Sequence, residues 1–169
     1  MPQTLRLLAF GLVLLAGGAF AQGAGVGFGG LKQDPGAPVS IVSDSLSVNQ
    51  SEGFATFTGD VLATQGDLRL AAAEVTVRYV EGSQDIQTIT ATGGVTLTSP
   101  TEAAEAKEAV YTIATGAVEM TGDVLLTQGQ SAISGQRLVL DVRTGLGRME
   151  GRVQTIFTPA QGQTGAPAP

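Results

Sequence analysis

Asp60 and Asp123 are the residues best placed for chemistry, because they occupy equivalent positions, each directly after a glycine, in two near-identical stretches. A pair of carboxylates can hydrolyse a glycosidic bond, one acting as acid and the other as base or nucleophile. Both, however, fall on the outward side of the strand pattern described below, where a solvated charge is the simpler assignment. The chain has no His and no Cys, which removes a His-assisted triad, a thiolate nucleophile and the usual zinc ligands. It also has no G-x-S-x-G and no P-loop. The stretch Gly25-Val26-Gly27-Phe28-Gly29-Gly30 matches G-x-G-x-x-G, but a dinucleotide fingerprint needs a strand before it and a helix after it. Here an apolar leader precedes and a Pro-containing linker follows. The sequence therefore reads as non-enzymatic, with no cofactor and no metal.

The ends frame the part that folds. Arg6 precedes a 13-residue uncharged apolar run, Leu7 to Ala19, and Ala19-Phe20-Ala21 supplies small residues at −3 and −1 of a cleavage after Ala21. The run is shorter than the roughly 20 residues a membrane span needs, so residues 1–21 are expected to be a signal peptide and the mature protein to be exported. Residues 22–38, rich in Gly and Pro, are expected to form a disordered linker, and 158–169 a disordered tail. One domain, 39–157, remains. Of nine Lys+Arg residues one is Arg6, and against fifteen Asp+Glu the mature chain carries −7. Such a charge repels phosphate backbones and argues against nucleic acid as a partner. Without Cys there are no disulfide staples, so packing and backbone pairing must hold the domain.

That domain is repetitive. Thr58-Gly-Asp-Val-Leu-Ala-Thr-Gln-Gly66 recurs as Thr121-Gly-Asp-Val-Leu-Leu-Thr-Gln-Gly129, identical at eight of nine positions. Weaker copies begin at Thr92 and Glu150, so the anchoring glycines are Gly59, Gly93, Gly122 and Gly151, spaced 34, 29 and 29. The columns continue upstream: Leu46, Ala109 and Leu138 stand 13 before the glycine, and Val48, Tyr111 and Leu140 stand 11 before it. Val75 and Val77 join these columns once a five-residue insertion at 81–85 is allowed.

Parity sorts the side chains. At −4, −2, +2 and +4 from each glycine stand Ala55, Phe57, Val61 and Ala63, then Ile89, Ala91, Val95 and Leu97. The third copy gives Val118, Met120, Val124 and Leu126, and the fourth Gly147, Met149, Val153 and Thr155. Thr, Asp, Glu, Gln and Arg fill most positions between, with Leu62 and Leu125 as exceptions. This period of two marks strands with one buried and one wet face. Each unit is expected to be a strand, a Gly-containing turn and a second strand crossed by the anchoring glycine, which serves a bend. Residues 102–106 (EAAEA) have helix propensity instead and leave their conformation open; from Ala109 onward the register demands a strand.

With the repeat in place, the stretch from Phe57 to Leu70 (FTGDVLATQGDLRL), Ala73-Glu74-Val75 and the later TGDV copy resemble the LptA/OstA family of periplasmic lipopolysaccharide-transport proteins. The resemblance covers about 39–157. It implies an all-β fold, an open antiparallel β-jelly roll stacked as a V from repeated hairpins. It further implies an apolar groove that shields the lipid A acyl chains of lipopolysaccharide, with Phe57, Val61, Val77, Ile89, Val95, Leu97, Tyr111, Met120, Val124, Leu126 and Leu140 as its lining. Arg69, Arg137 and Arg152 flank the apolar strands and are candidates for the lipid head-group. The partners implied are an inner-membrane anchored LptC-like protein, an outer-membrane LptD-like protein, and further copies of the chain joined head to tail. The rival reading is a structural β-repeat scaffold of the periplasm or cell surface that binds no lipid, its inward residues forming an ordinary closed core.

Overall fold

A computed structural model of the chain describes the backbone of residues 25–27 and, with side chains, residues 31 and 38–157. The expected leader and tail lie outside the described residues. The strands are β1 (Gly25–Gly27), β2 (Val39–Val42), β3 (Ser45–Asn49), β4 (Phe54–Gln65), β5 (Leu68–Tyr79) and β6 (Ile86–Thr98). They continue as β7 (Glu102–Thr112), β8 (Ala117–Gln128), β9 (Ser131–Asp141), β10 (Leu146–Glu150) and β11 (Gln154–Ile156). Sequential strands pair antiparallel in the order β1-β10-β9-β8-β7-β6-β5-β4-β2, with β3 also on β4 and β11 also on β9. The path does not close on itself. The fold is an open antiparallel β-jelly roll, as the family resemblance implies.

The repeated glycines fold this sheet. Register shifts fall between Thr58 and Val61, Thr92 and Val95, and Thr121 and Val124, each spanning a Gly-containing pair. Gly59, Gly93, Gly122 and Gly151 all have φ near +80°, and Asp60, Gly94, Asp123 and Arg152 directly after them are left-handed too. Two successive left-handed residues turn the strand sharply, and glycine takes this conformation without the clash a Cβ would bring. Space adds a second demand at Gly93, where a Cβ would come within 2.5 Å of the Ala73 Cβ on the neighbouring strand. The expected bend is therefore a corner line that crosses every long strand.

The corner divides the sheet into two wings. The first holds β3, β10, β1 and residues 54–58, 74–79, 86–92, 108–112, 117–121 and 137–141; the second holds β2, β11 and the other halves of β4 to β9. Apolar residues of both wings belong to one buried cluster, so their inner faces pack on each other. In the first wing one row runs Leu46, Phe57, Val75, Ala91, Ala109, Met120, Leu138, Met149. In the second, Ile41, Ala63, Leu70, Leu97, Ala104, Leu126 and Ile133 line up in the same way.

Three local expectations change. Residues 102–106 are strand throughout, because pairing with β6 and β8 fixes them and tertiary context overrides propensity. In the fourth copy Val153 is exposed rather than inward, since it falls between the end of β10 at Glu150 and the start of β11 at Gln154. Within 22–38, where disorder is expected, Gly25–Gly27 pairs with β10 and Leu31 is fully buried in the core.

Candidate functional site

All eleven predicted groove residues meet inside the fold. Val61, Val77, Val95, Leu97, Met120, Val124, Leu126 and Leu140 are buried in the common cluster, with Phe57, Ile89 and Tyr111 partly buried against it. Strand pleating alone puts them there: each lies an even number of residues from its neighbours on one strand, and antiparallel pairing aligns the strands. The sequence reading left out Val75, Leu138 and Met149, which are equally buried, although the repeat columns already contained them. Leu31, also fully buried, carried no signal, because it belongs to no repeat.

The site changes character along the stack. At the β2/β3 end, Leu46 and Val48 sit in the inward rows yet are 56 % and 57 % exposed, since among the described residues no further strand covers them. At the β10 end their counterparts Leu138 and Leu140 are 0 % exposed. The inner surface thus forms one apolar strip, open to solvent at one end and sealed at the other.

Polar groups are sparse inside. Glu102 is the one buried charged side chain among the described residues. Its Oε1 accepts a hydrogen bond from Gln128 Nε2 at 2.5 Å, and its Oε2 accepts one from the Leu31 backbone N–H at 3.1 Å. Glu102 faces inward because it pairs with Gln128 two residues before the inward pair Ala104 and Leu126. The helical look of its segment hid this orientation in the sequence.

The three arginines proposed for a head-group are not brought together. Arg137 faces outward, where Nε and Nη2 grip Glu119 at 2.7 and 2.8 Å and Nη1 reaches Glu150 at 2.8 Å. Those hydrogen bonds hold Glu119 below its usual carboxylate range and hold the Arg137 guanidinium above its usual range. Arg69 lies on the outer side of the second wing, between Thr64 and Thr98, and Arg152 is exposed at the corner line. Asp60 and Asp123, the candidate acids, are exposed corner residues. Asp123 pairs with Lys107 at 2.6 Å, and that hydrogen bond lowers its pKa. No group of three or more metal-ligating side chains occurs among the described residues.

Comparison with known proteins adds to this geometry. The model of the family described as LptA/(LptD N-terminal domain) LPS transport protein matches residues 40–146. An uncharacterised protein of Rhizobium meliloti is 29 % identical over 129 residues, covering 72 % of this chain and 69 % of that protein. The lipopolysaccharide export system protein LptH of Pseudomonas aeruginosa is 31 % identical over 91 residues, 54 % of this chain and 47 % of that one. LptA of Haemophilus influenzae, a protein of the same export system, is 35 % identical over 83 residues, 48 % and 43 % respectively. The chain thus aligns with somewhat under half the length of these two named relatives. Among solved structures, P. aeruginosa LptH, described as the LptA homologous periplasmic component of a lipopolysaccharide transport device, superposes with a TM-score of 0.65. That match has 18 % identity and covers 73 % of this chain and 96 % of the other, which makes it a likeness of fold.

Proposed function

Because the chain belongs to the LptA/(LptD N-terminal domain) family of LPS transport proteins, we propose that it carries lipopolysaccharide through the periplasm with the lipid A acyl chains held between its two wings. The observation that carries this reading is the continuous apolar strip that begins in the open at Leu46 and Val48 and runs through Phe57 and Leu97 to Leu126 and Leu140. Acyl chains gain about 0.8 kcal/mol per CH₂ removed from water, so a few chains entering from the open end supply enough energy to part the wings. No catalytic step belongs to this role.

The division of the chain follows the same reading. Residues 1–21 are a leader cleaved after Ala21, the domain spans 39–157, and 158–169 is a tail. Among the described residues no strand pairs with the outer edge of β2 and β3, so another strand can add there. An LptC-like protein at the inner membrane, an LptD-like protein at the outer membrane, and a second copy of this chain are the partners proposed for such edges.

Site-specific photocrosslinking to lipopolysaccharide tests the carrier role. Benzophenone side chains at Leu46 and Leu97 should give lipid adducts, and at the outward Thr96 none. Folded protein that yields adducts at neither inward position would leave a closed core, and the scaffold reading would replace this one. The scaffold reading has its own support in the full burial of Met120, Leu126 and Leu138.

A further inference from the structure

Two points on the N-terminal segment occupy the places that a lipid and a joining strand would need. Leu31 is fully buried within the same cluster as Val95, Leu97, Met120 and Leu126, so its side chain stands where an acyl chain would lie. Gly25–Gly27 covers the outer edge of β10, with Gly25 opposite Arg148, Val26 opposite Gly147 and Gly27 opposite Leu146. The edge at the other end of the stack, β2 and β3, has no such cover among the described residues.

Both grips are short. The edge contact is three residues long and two of them are glycine, which loses more backbone freedom on pairing than any other residue. At Leu31 the inner hold is a backbone N–H on Glu102. A carboxylate is an unfavourable neighbour for a sealed apolar interior, because burial strips its water. The Gln128 bond to the same carboxylate does not involve the segment, so expelling Leu31 gives up one hydrogen bond there.

We propose that the N-terminal segment is an intramolecular competitor for both the lipid groove and the β10 edge, so that lipid entering the groove expels Leu31 and frees β10 for a second copy. Empty carriers then stay single, and loaded carriers join. This rests on the carrier role above and adds to it a coupling between loading and joining. A ligand's apparent affinity falls by the fraction of protein in the competent state, so relieving the competitor should strengthen binding.

The chain has no cysteine, which allows a clean lock. Mature protein carrying Gly25→Cys and Arg148→Cys would be compared oxidised and reduced, using fluorescently labelled lipopolysaccharide for binding and sedimentation for self-association. Oxidation should weaken binding by roughly tenfold or more and keep the protein monomeric when lipid is added. Reductant should restore both, and Leu31→Asn should bind more tightly than wild type and join at lower lipid concentration. Oxidised protein that binds and associates like the reduced form would overturn the proposal. If no form binds lipopolysaccharide, the carrier role fails instead. Lipid-free self-association then decides the edge contact: it stands if the reduced protein associates more than the oxidised, and falls if they match.

Discussion

The two ends of the stack are built from copies of one repeat and yet differ in what they expose. At the β2/β3 end the inward Leu46 and Val48 face water, whereas at the β10 end Leu138, Leu140 and Met149 are sealed. Residue type does not explain this, since Leu46 and Leu138 hold the same column. Neighbours do. Leu138 lies on β9, with β8 on one side, β10 on the other and Leu31 in the same cluster, while Leu46 lies on β3, which among the described residues pairs with β4 alone. The difference teaches that in a stacked fold a residue's energetic weight depends on its distance from the ends more than on its identity.

The sharpest way to break this comparison is to truncate the same column at both ends. Leu138→Ala should cost about 2–5 kcal/mol in chemical denaturation, and Leu46→Ala less than about 1 kcal/mol. Equal losses would mean that the open end is covered in solution.

A second comparison separates packing from backbone. Gly93→Ala has to place a Cβ at φ +83° against the Ala73 Cβ, whereas Gly94→Ala meets a left-handed φ but open space. The first should lose about 1–3 kcal/mol and the second nearer 1 kcal/mol. Adding Ala73→Gly should restore part of the Gly93→Ala loss and none of the Gly94→Ala loss. Full restoration at both positions would show that φ strain contributes little at the corner.

The open end should matter more for ligand than for folding. Leu46→Gln with Val48→Gln is expected to leave the unfolding midpoint nearly unchanged and to weaken lipopolysaccharide binding by about tenfold, the loss of roughly two methylenes' worth of contact. An unchanged affinity would place lipid entry elsewhere.

The smallest effect belongs to the outer face. The lowered pKa of Glu119 comes from its hydrogen bond to Arg137. Its folded pKa is depressed, so the pair's contribution is present above the usual 4.5 and is lost as pH falls through the lowered folded value. Both partners are well exposed, and solvent screens them. Arg137→Met should therefore cost little at neutral pH, and still less below that window. A large loss at either pH would mark Arg137 as more than a surface partner.

Much of the fold was legible because its period is short and repeated. Alternation at Val95 and Leu97, or at Val124 and Leu126, reports a buried face with no knowledge of the partner strand. The glycine columns likewise announced a bend before its geometry was visible. Residues 102–106 were not legible, because local propensity favours a helix where pairing on both sides imposes a strand. Val153 misled for a related reason: its column predicts burial, but burial requires neighbours, and Val153 lies outside the paired strands β10 and β11.

The groove residues were legible as a set, and their division into exposed and sealed members was not. Arg137 looked available for a head-group because Glu119 and Glu150 are remote from it in sequence; only antiparallel register carries them alongside. Leu31 and Glu102, 71 residues apart, share no pattern that sequence could register.

What the sequence determined by itself is therefore the repeat, its glycine corners and the alternating faces of the strands that carry it. Only the tertiary structure decided which inward positions are covered, which charges are paired and what occupies the interior. Those depend on contacts between segments distant along the chain, and a periodic pattern holds no record of which distant segment arrives.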